Sequence, residues 1–330
     1  MHVLVTGADD IWGYLTAERV LQTPTLKNSS GIASPVESLV LVVHNKPYEP
    51  TIEEDPRVKV VRGDIADKAG IEKIILENNI DSVFHFETVT RDRDDGEDDF
   101  DGMINVNIFG SMNILEALRK AENKAKLVFC SSCSVFQDGI TEAVSPATRR
   151  LPSSTYGATK TVVEILIANY TDRGFVDGRS SVLPMCVSWR PTAANTDFMH
   201  DVFKAPFDGK DIEIALKPDT RLFFNGFYSD IDNLIETHDI DSAALGEDRS
   251  LIQPGITVSI QEMIEAFQRI ASARGITLGE VVEKLDPEKQ AGFDVYNKLT
   301  DFDRALGFGL SHEDLDTIVT RYLDAYLALS

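Results

Sequence analysis

The sequence predicts an α/β fold in which helices cover both faces of a doubly wound parallel sheet. Short apolar runs, such as HVLVTG at residues 2–7 and SLVLVVHN at 38–45, alternate with helical stretches through the first 190 residues. Uninterrupted apolar runs are typical of strands buried on both faces of a parallel sheet. The alternation predicts right-handed crossovers, with ligands bound at the carboxyl ends of the strands.

The elements follow in regular order. A helix at 11–23 places Ile11, Leu15 and Val20 or Leu21 on one side, and further strands are predicted at 58–65, 81–87, 126–132 and 180–187, with a helix at 104–124. Beyond Pro191 the alternation ends, and residues 259–275 and 311–330 are predicted as helices. We therefore expect a first domain at 1–190, to which a later strand near 223–252 returns, and a smaller, mainly substrate-binding lobe at 191–330.

Composition limits the function classes. The 330 residues carry a net charge of −22, from 54 acidic against 32 Lys and Arg side chains, which disfavours nucleic acid and anionic membranes as partners. No run approaches the ~20 apolar residues that span a bilayer, and MHVLVTG at the start lacks the regions of a signal peptide. Three cysteines form no disulfide framework, which predicts a cytoplasmic protein. The acidic run at 91–102 matches no metal loop, so no metal site is predicted.

The stretch TGADDIWG, residues 6–13, is typical of a phosphate-binding turn with one substitution. Glycines in such turns let the backbone approach a pyrophosphate, which rests on the following helix N-terminus. Asp10 stands at the middle glycine position, where it is also a good helix N-cap. A like charge at ~5 Å costs about 3 kcal/mol at an effective dielectric constant near 20.

Three residues have the chemistry of a proton-transfer site. Tyr156 and Lys160, four apart in STYGATK, share one helix face, and a nearby ammonium is expected to lower the phenol pKa from ~10. Ser132 ends the buried strand KLVFCSS, where its hydroxyl would hold a substrate oxygen. The structural alternative is a strand-end serine with a surface Tyr–Lys pair. Cys130 and Cys133 form a C-x-x-C pair, for which packing is expected rather than redox chemistry.

The order of these motifs with RGDI, VFHF and NVNIFGS resembles the extended short-chain dehydrogenases/reductases of the NAD-dependent epimerase/dehydratase family. The stretch from SSTYGATK through SSVLPMCV, with PFDGKD and QPGITVSI, is similar to the D-erythronate dehydrogenase branch. The resemblance covers nearly the whole chain and implies a Rossmann-type sheet. It also implies a homodimer formed by the helices that contain INVNIFGSMNILEAL and KTVVEILIANY.

The resemblance assigns residues to three groups. Tyr156 would move the proton, Lys160 would tune Tyr156 and hold the nicotinamide ribose, and Ser132 would fix the reacting oxygen. The NAD or NADP cofactor would contact Gly7, Asp10, Ile11, Trp12, His44, Asn45, Asp64, Ile65, Phe86, Glu87, Asn107, Tyr156, Lys160, Leu183 and Pro184. The substrate would contact Thr90, Cys133, Ser134, Asn195, Arg221, Phe223 and Phe224.

Three departures from the family pattern concern the cofactor. Asp10 replaces a glycine, and Glu87 places a second carboxylate near the phosphates and ribose. The acidic residue that binds the adenosine ribose in this family is absent, because His44 and Asn45 occupy its position. The positive charge of Lys46 would favour the 2′-phosphate of NADP. The sequence therefore predicts NAD or NADP, with weakened or lost binding.

The substrate side departs as well. Cys133 and Ser134 replace the Asp–Glu pair of dehydratases, and Arg221 is the one evident candidate to bind a nucleotide-sugar diphosphate. The segment RLFFNGFY, 221–228, is either lobe core or an apolar pocket wall. We expect a nicotinamide-dependent oxidoreductase acting on a secondary alcohol or ketone, with a sugar-acid-like or more apolar substrate. The alternatives are a cofactor-independent isomerase, cyclase or epimerase, and a non-enzymatic sensor or scaffold.

Overall fold

The computed structural model describes residues 1–44, 52, 54–90, 99–136, 140, 142–187, 211–294 and 300–329. The strands are β1 (His2–Thr6), β2 (Leu26–Lys27), β3 (Ala33–Ser34), β4 (Ser38–Val43), β5 (Val58–Arg62), β6 (Ser82–His85), β7 (Lys126–Ser132), β8 (Asp177–Leu183), β9 (Met185–Val187), β10 (Ile212–Ile214), β11 (Arg221–Gly226), β12 (Ser250–Ile252), β13 (Ile256–Ser259) and β14 (Val281–Glu283).

The helices are α1 (Ile11–Gln22), α2 (Lys68–Glu77), α3 (Phe100–Met103), α4 (Ser111–Ala121), α5 (Thr155–Asp172), α6 (Phe227–Asp239), α7 (Ser242–Leu245), α8 (Ile260–Ala273), α9 (Pro287–Asp294), α10 (Asp303–Gly307) and α11 (Leu315–Leu329). A π-helix covers Ile104–Gly110, and a 3₁₀ turn covers Cys133–Val135. None of the described helices is both long enough and apolar enough to cross a membrane.

The central sheet confirms the predicted fold class. Seven strands lie in the order β12-β8-β7-β6-β1-β4-β5, and every neighbouring pair is parallel. Chain order reverses between β1 and β6, and ligands of open α/β sheets bind in the crevice at the carboxyl ends beside such a reversal. Strands β1 and β4 are largely apolar and buried, whereas β8 is buried but mostly polar and β5 is partly exposed. Two apolar clusters cover the two faces of the sheet.

A smaller lobe packs around its own core. Its three-stranded sheet has the order β13-β11-β9, with β11 parallel to β9 and antiparallel to β13. Helices α8 and α11 cover this sheet, and Phe224, Phe267 and Tyr322 lie in the core between them. The short strand β12 pairs with β8, which returns the chain from this lobe to the central sheet.

Two elements differ from the expected ones. The run SSVLPMCV is not one strand, because Pro184 separates β8 from β9, which joins the other sheet. Proline lacks the amide hydrogen that a strand ladder requires, so the sheet changes at this residue. The expected helix at 104–124 begins as a π-helix, with buried Asn107 in its middle.

Candidate active site

The turn between β1 and α1 requires two of its glycines. Gly7 has φ +68°, and a Cβ at this position would come within 2.7 Å of the Glu87 amide nitrogen. A Cβ at Gly13 would meet the Gly7 carbonyl oxygen at 2.3 Å, so α1 packs directly on the turn. The helix N-terminus therefore lies at the carboxyl end of β1, as a phosphate-binding turn requires.

Asp10 is the N-cap of α1, as its sequence position predicts. Its carboxylate accepts a hydrogen bond from the Trp12 amide at 3.2 Å, and its extended backbone needs no glycine. Burial raises the pKa of the Tyr156 phenol, and the negative charge of Asp10 adds to that rise. The Asp10 carboxylate thus caps the helix that follows the turn and also raises the pKa of Tyr156.

Ser132, Tyr156 and Lys160 meet at the carboxyl end of β7. The Ser132 hydroxyl hydrogen-bonds the phenol of Tyr156 and also accepts from the Ser134 amide at 3.2 Å. Helix α5, capped by Ser154, places Tyr156 in its first turn and Lys160 one turn later. The Lys160 Nζ lies 5.5 Å from the centre of the Tyr156 ring.

The pKa of Tyr156 departs from the sequence-based expectation. Burial raises it above its usual range, the neighbouring thiols of Cys130 and Cys133 add to the rise, and the Ser132 hydrogen bond opposes it. The expectation of a lowered phenol pKa is wrong for this structure, because desolvation of the phenolate outweighs the effects that favour it. Tyr156 is accordingly a neutral phenol at pH 7, able to donate a proton.

Lys160 is a buried amine whose pKa is lowered from its usual value. Its Nζ donates to the Cys130 carbonyl oxygen at 2.8 Å and lies 4.7 Å from the Phe129 ring centre. Burial lowers its pKa to about 8, while Cys130, Glu164 and Glu87 favour the charged form. A buried amine that titrates near neutral pH is typical of functional sites.

Glu164 on α5, which the sequence analysis did not identify, connects four segments near this site through hydrogen bonds. It accepts hydrogen bonds from Ser131 on β7, from Ser250 on β12 at 2.9 Å, and from Arg150 at 3.3 Å. Arg150 belongs to the segment that leads into α5. The signal in the sequence is the spacing, since Glu164 follows Lys160 by four residues on the same helix face.

The β1–β6 edge of the site is fixed by buried polar side chains. His85 bonds Thr6 at 2.7 Å and Ser111 at 2.8 Å, and burial lowers its pKa to about 3. Asn107 holds both backbone polar groups of Val89 and also donates to Thr159 at 3.0 Å. This neutral network joins β1 and β6 to the helices that flank the crevice.

The other expected cofactor residues lie around the carboxyl ends of the strands. Leu183 is paired with Ser132, the Asp64 carboxylate accepts from the Ala66 amide at 2.8 Å, and the Trp12 ring lies 4.1 Å from that of Phe227. Ile11, Ile65, Phe86, Leu183 and Pro184 are buried, whereas Trp12, His44, Asp64, Glu87, Thr90, Cys133 and Ser134 are half-buried. Asn45, Lys46 and Asn195 lie outside the described residues.

The expected substrate residues of the small lobe are engaged in packing. Phe224 is fully buried in the lobe core, and Phe223 is 5% exposed and stacks on Phe302 at 6.1 Å between ring centres. Arg221, at the other end of β11, donates to the Thr257 carbonyl at 2.6 Å and pairs with Glu262 at 3.5 Å. These contacts favour a structural role for all three side chains.

The residues present fit a dinucleotide in backbone geometry. Gly7 and Gly13 form the close turn, and the α1 N-terminus follows it. Tyr156 and Lys160 lie near the carboxyl end of β7, which β6 separates from β1 in the sheet. The carboxylates of Asp10 and Glu87 are the two negative charges that would oppose the phosphates of a bound dinucleotide. Within the part of the chain that the structure describes, no three His, Cys, Asp or Glu side chains gather as a metal site.

Comparisons with known proteins show which family this chain belongs to. The model of the NAD dependent epimerase/dehydratase family matches residues 3–214. A D-erythronate dehydrogenase of Cupriavidus necator is 30% identical, covering 99% of this chain and 100% of that protein. A second D-erythronate dehydrogenase, from Haemophilus influenzae, is 28% identical over 82% of each chain.

Solved structures show the same fold. A nucleoside-diphosphate-sugar epimerase from Agrobacterium tumefaciens superposes with a TM-score of 0.87 at 24% identity, covering 100% of this chain and 95% of that chain. An L-threonine dehydrogenase from Clostridium difficile has a TM-score of 0.83 at 17% identity, covering 99% and 98%. The chain belongs to the NAD dependent epimerase/dehydratase family and is an enzyme of the short-chain dehydrogenase/reductase type.

Proposed function

We propose that this protein is a nicotinamide-dependent oxidoreductase that interconverts a secondary alcohol and the corresponding ketone. The observation that best supports this proposal is the cluster of Ser132, Tyr156 and Lys160 at the carboxyl end of β7, near the β1–α1 turn. Dehydrogenases at 30% and 28% identity over most of the chain support an oxidoreductase. The bound nicotinamide would supply the acceptor or donor of a hydride.

The side chains of the cluster would divide the proton chemistry among them. When a ketone is reduced, the neutral Tyr156 hydroxyl donates its proton to the ketone oxygen, and when an alcohol is oxidised, the Tyr156 phenolate receives the proton of the alcohol. The Ser132 hydroxyl donates a hydrogen bond to the same substrate oxygen and holds it beside the phenol. The Lys160 ammonium stabilises the phenolate that forms when Tyr156 has given up its proton.

The substrate proposed is a small hydroxy acid of the sugar-acid type. Two relatives named D-erythronate dehydrogenase support this class. Phe223 and Phe224 are taken up by packing, so they give no support to a more apolar substrate. We assign substrate binding mainly to the lobe at 191–330.

Calorimetric titration with NAD, followed by assay of reduced nicotinamide with a panel of four-carbon hydroxy acids, tests the proposal. We expect saturable NAD binding and turnover with at least one hydroxy acid. Absence of binding by both NAD and NADP would refute the oxidoreductase function. The second candidate, a cofactor-independent isomerase, is favoured by the Asp10 and Glu87 carboxylates, and it predicts exchange of a substrate proton with solvent when no dinucleotide is present.

We propose that the enzyme acts as a homodimer. Phe109 on the π-helix and Ile165 on α5 are 53% and 63% exposed, and Val162 on α5 is 38% exposed. Apolar side chains on two neighbouring elements favour burial against a second copy. The cytoplasmic location stays a prediction from the cysteine content.

A further inference from the structure

The end of β4 lacks the acid that dinucleotide-binding sheets use to recognise the adenosine ribose. In such sheets an Asp or Glu at the end of the second sheet strand accepts hydrogen bonds from the ribose hydroxyls of NAD. In this chain the residue after β4 is His44, followed by Asn45 and Lys46. Taken alone, this segment favours NADP.

The structure brings a carboxylate to the same place from another strand. The β1–α1 turn crosses the end of β4, where the Ala8 amide donates to the Val42 carbonyl oxygen at 3.1 Å. The next residue, Asp9, accepts a hydrogen bond at its Oδ2 from the His44 backbone amide at 3.2 Å. A half-buried carboxylate thus lies at the strand end, although it comes from 35 residues upstream.

The second oxygen of this carboxylate remains available for a ligand. Asp9 Oδ1 has no hydrogen bond to any residue in the described part of the chain. The bond to His44 orients the carboxylate and leaves acceptor capacity, since an ionised carboxyl group offers about four lone-pair sites. Ribose hydroxyls are donors that match this oxygen.

We propose that Asp9 takes the place of the missing strand-end acid and makes the enzyme select NAD over NADP. This inference rests on the proposed function, since it presupposes a bound dinucleotide. A 2′-phosphate carries a charge of about −1.5 to −2 at pH 7, as other phosphate monoesters do, and would face the Asp9 carboxylate. Like-charge contact disfavours NADP, whereas the two ribose hydroxyls of NAD are good partners.

Two substitutions in the same turn separate this effect from general repulsion. Asp9→Asn removes the charge and keeps a side-chain oxygen for the His44 amide. Asp10→Asn removes an equal charge one residue later and keeps the helix cap, because Asn and Asp are comparable N-caps. Dissociation constants for NAD and NADP are measured calorimetrically for the three proteins, with thermal unfolding as the check on folding.

We expect wild-type protein to bind NAD at least about tenfold more tightly than NADP, and Asp9→Asn to reduce that ratio by roughly tenfold. Asp10→Asn should tighten both dinucleotides and leave the ratio unchanged. If Asp9→Asn does not fold, Asp9→Ser, whose hydroxyl also accepts from the amide, replaces it. If the ratio of the NADP and NAD dissociation constants is unchanged in the Asp9 variant, or if the wild type prefers NADP, the proposed role of Asp9 is overturned but the proposed function is not. Absence of binding by both dinucleotides overturns the proposed function as well.

Discussion

Replacement of Asp10 by glycine tests whether a carboxylate at the cofactor turn limits dinucleotide affinity. In the structure the Asp10 carboxylate is held at the first turn of α1 by its 3.2 Å hydrogen bond from the Trp12 amide. The same helix terminus would receive the pyrophosphate. Asp10→Gly therefore removes a charge from the anion site and restores the glycine that the turn usually carries.

The substitution should affect two quantities in opposite ways, lowering the stability of the fold and raising the affinity for the dinucleotide. Loss of the cap in favour of glycine costs a few tenths of a kcal/mol of unfolding free energy. Repulsion between unit charges at ~5 Å is about 3 kcal/mol at an effective dielectric constant near 20, and salt and rotation of the side chain reduce it. We expect a net gain of about 1–2 kcal/mol in binding, roughly a tenfold lower dissociation constant.

Calorimetric titration with NAD at low and high ionic strength measures this gain, which should shrink as salt increases. Asp10→Asn is the matched control, because it removes the charge while retaining the cap. Both variants should also lower the pKa of Tyr156, since the charge of Asp10 contributes to its rise. Equal affinity of wild type and both variants at every salt concentration would refute the reasoning.

Three further predictions concern other parts of the molecule. Glu164→Gln should move the alkaline limb of the pH–rate profile down by about one unit, because Glu164 favours the charged form of Lys160; an unchanged profile would contradict this. Burial lowers the pKa of His85 to about 3 and of His238 to about 4, so the unfolded state binds more protons below pH 6.5. Denaturant unfolding should show that the free energy of unfolding falls by about 2 kcal/mol per histidine as the pH is lowered from 7 to 5. A free energy of unfolding that does not change over this range would contradict the buried neutral state of the two histidines. Light scattering should report a dimer at micromolar concentration, and Ile165→Glu a monomer; a wild-type monomer would refute the proposed interface.

Local patterns were sufficient to predict the sheet and much of the site. The apolar runs predicted the central strands because a strand buried on both faces cannot alternate. The N-cap role of Asp10 was predictable too, since it depends on one residue and the helix that follows. Tyr156 and Lys160 share a helix, so their spacing alone predicted that they lie together.

Long-range contacts and burial were beyond the sequence. The bond between Asp9 and the His44 amide joins the turn after β1 to the residue after β4, and the contacts of Glu164 depend on three other segments. The pKa of Tyr156 could not be predicted, because desolvation competes with nearby charges and only the folded chain shows which effect is larger. Pro184 was visible in the sequence, but its consequence depended on a second sheet being available to β9.

The most direct test of the proposed mechanism is steady-state activity of Tyr156→Phe with NAD and a hydroxy-acid substrate. The substitution removes one hydroxyl, so the fold and NAD binding should persist, and calorimetry verifies both. In this oxidation Tyr156 is the general base that takes the proton of the alcohol, and its loss predicts a fall in kcat of about 10²–10⁴-fold. Retention of more than about a tenth of wild-type kcat would contradict the role of Tyr156 as the group that moves the proton.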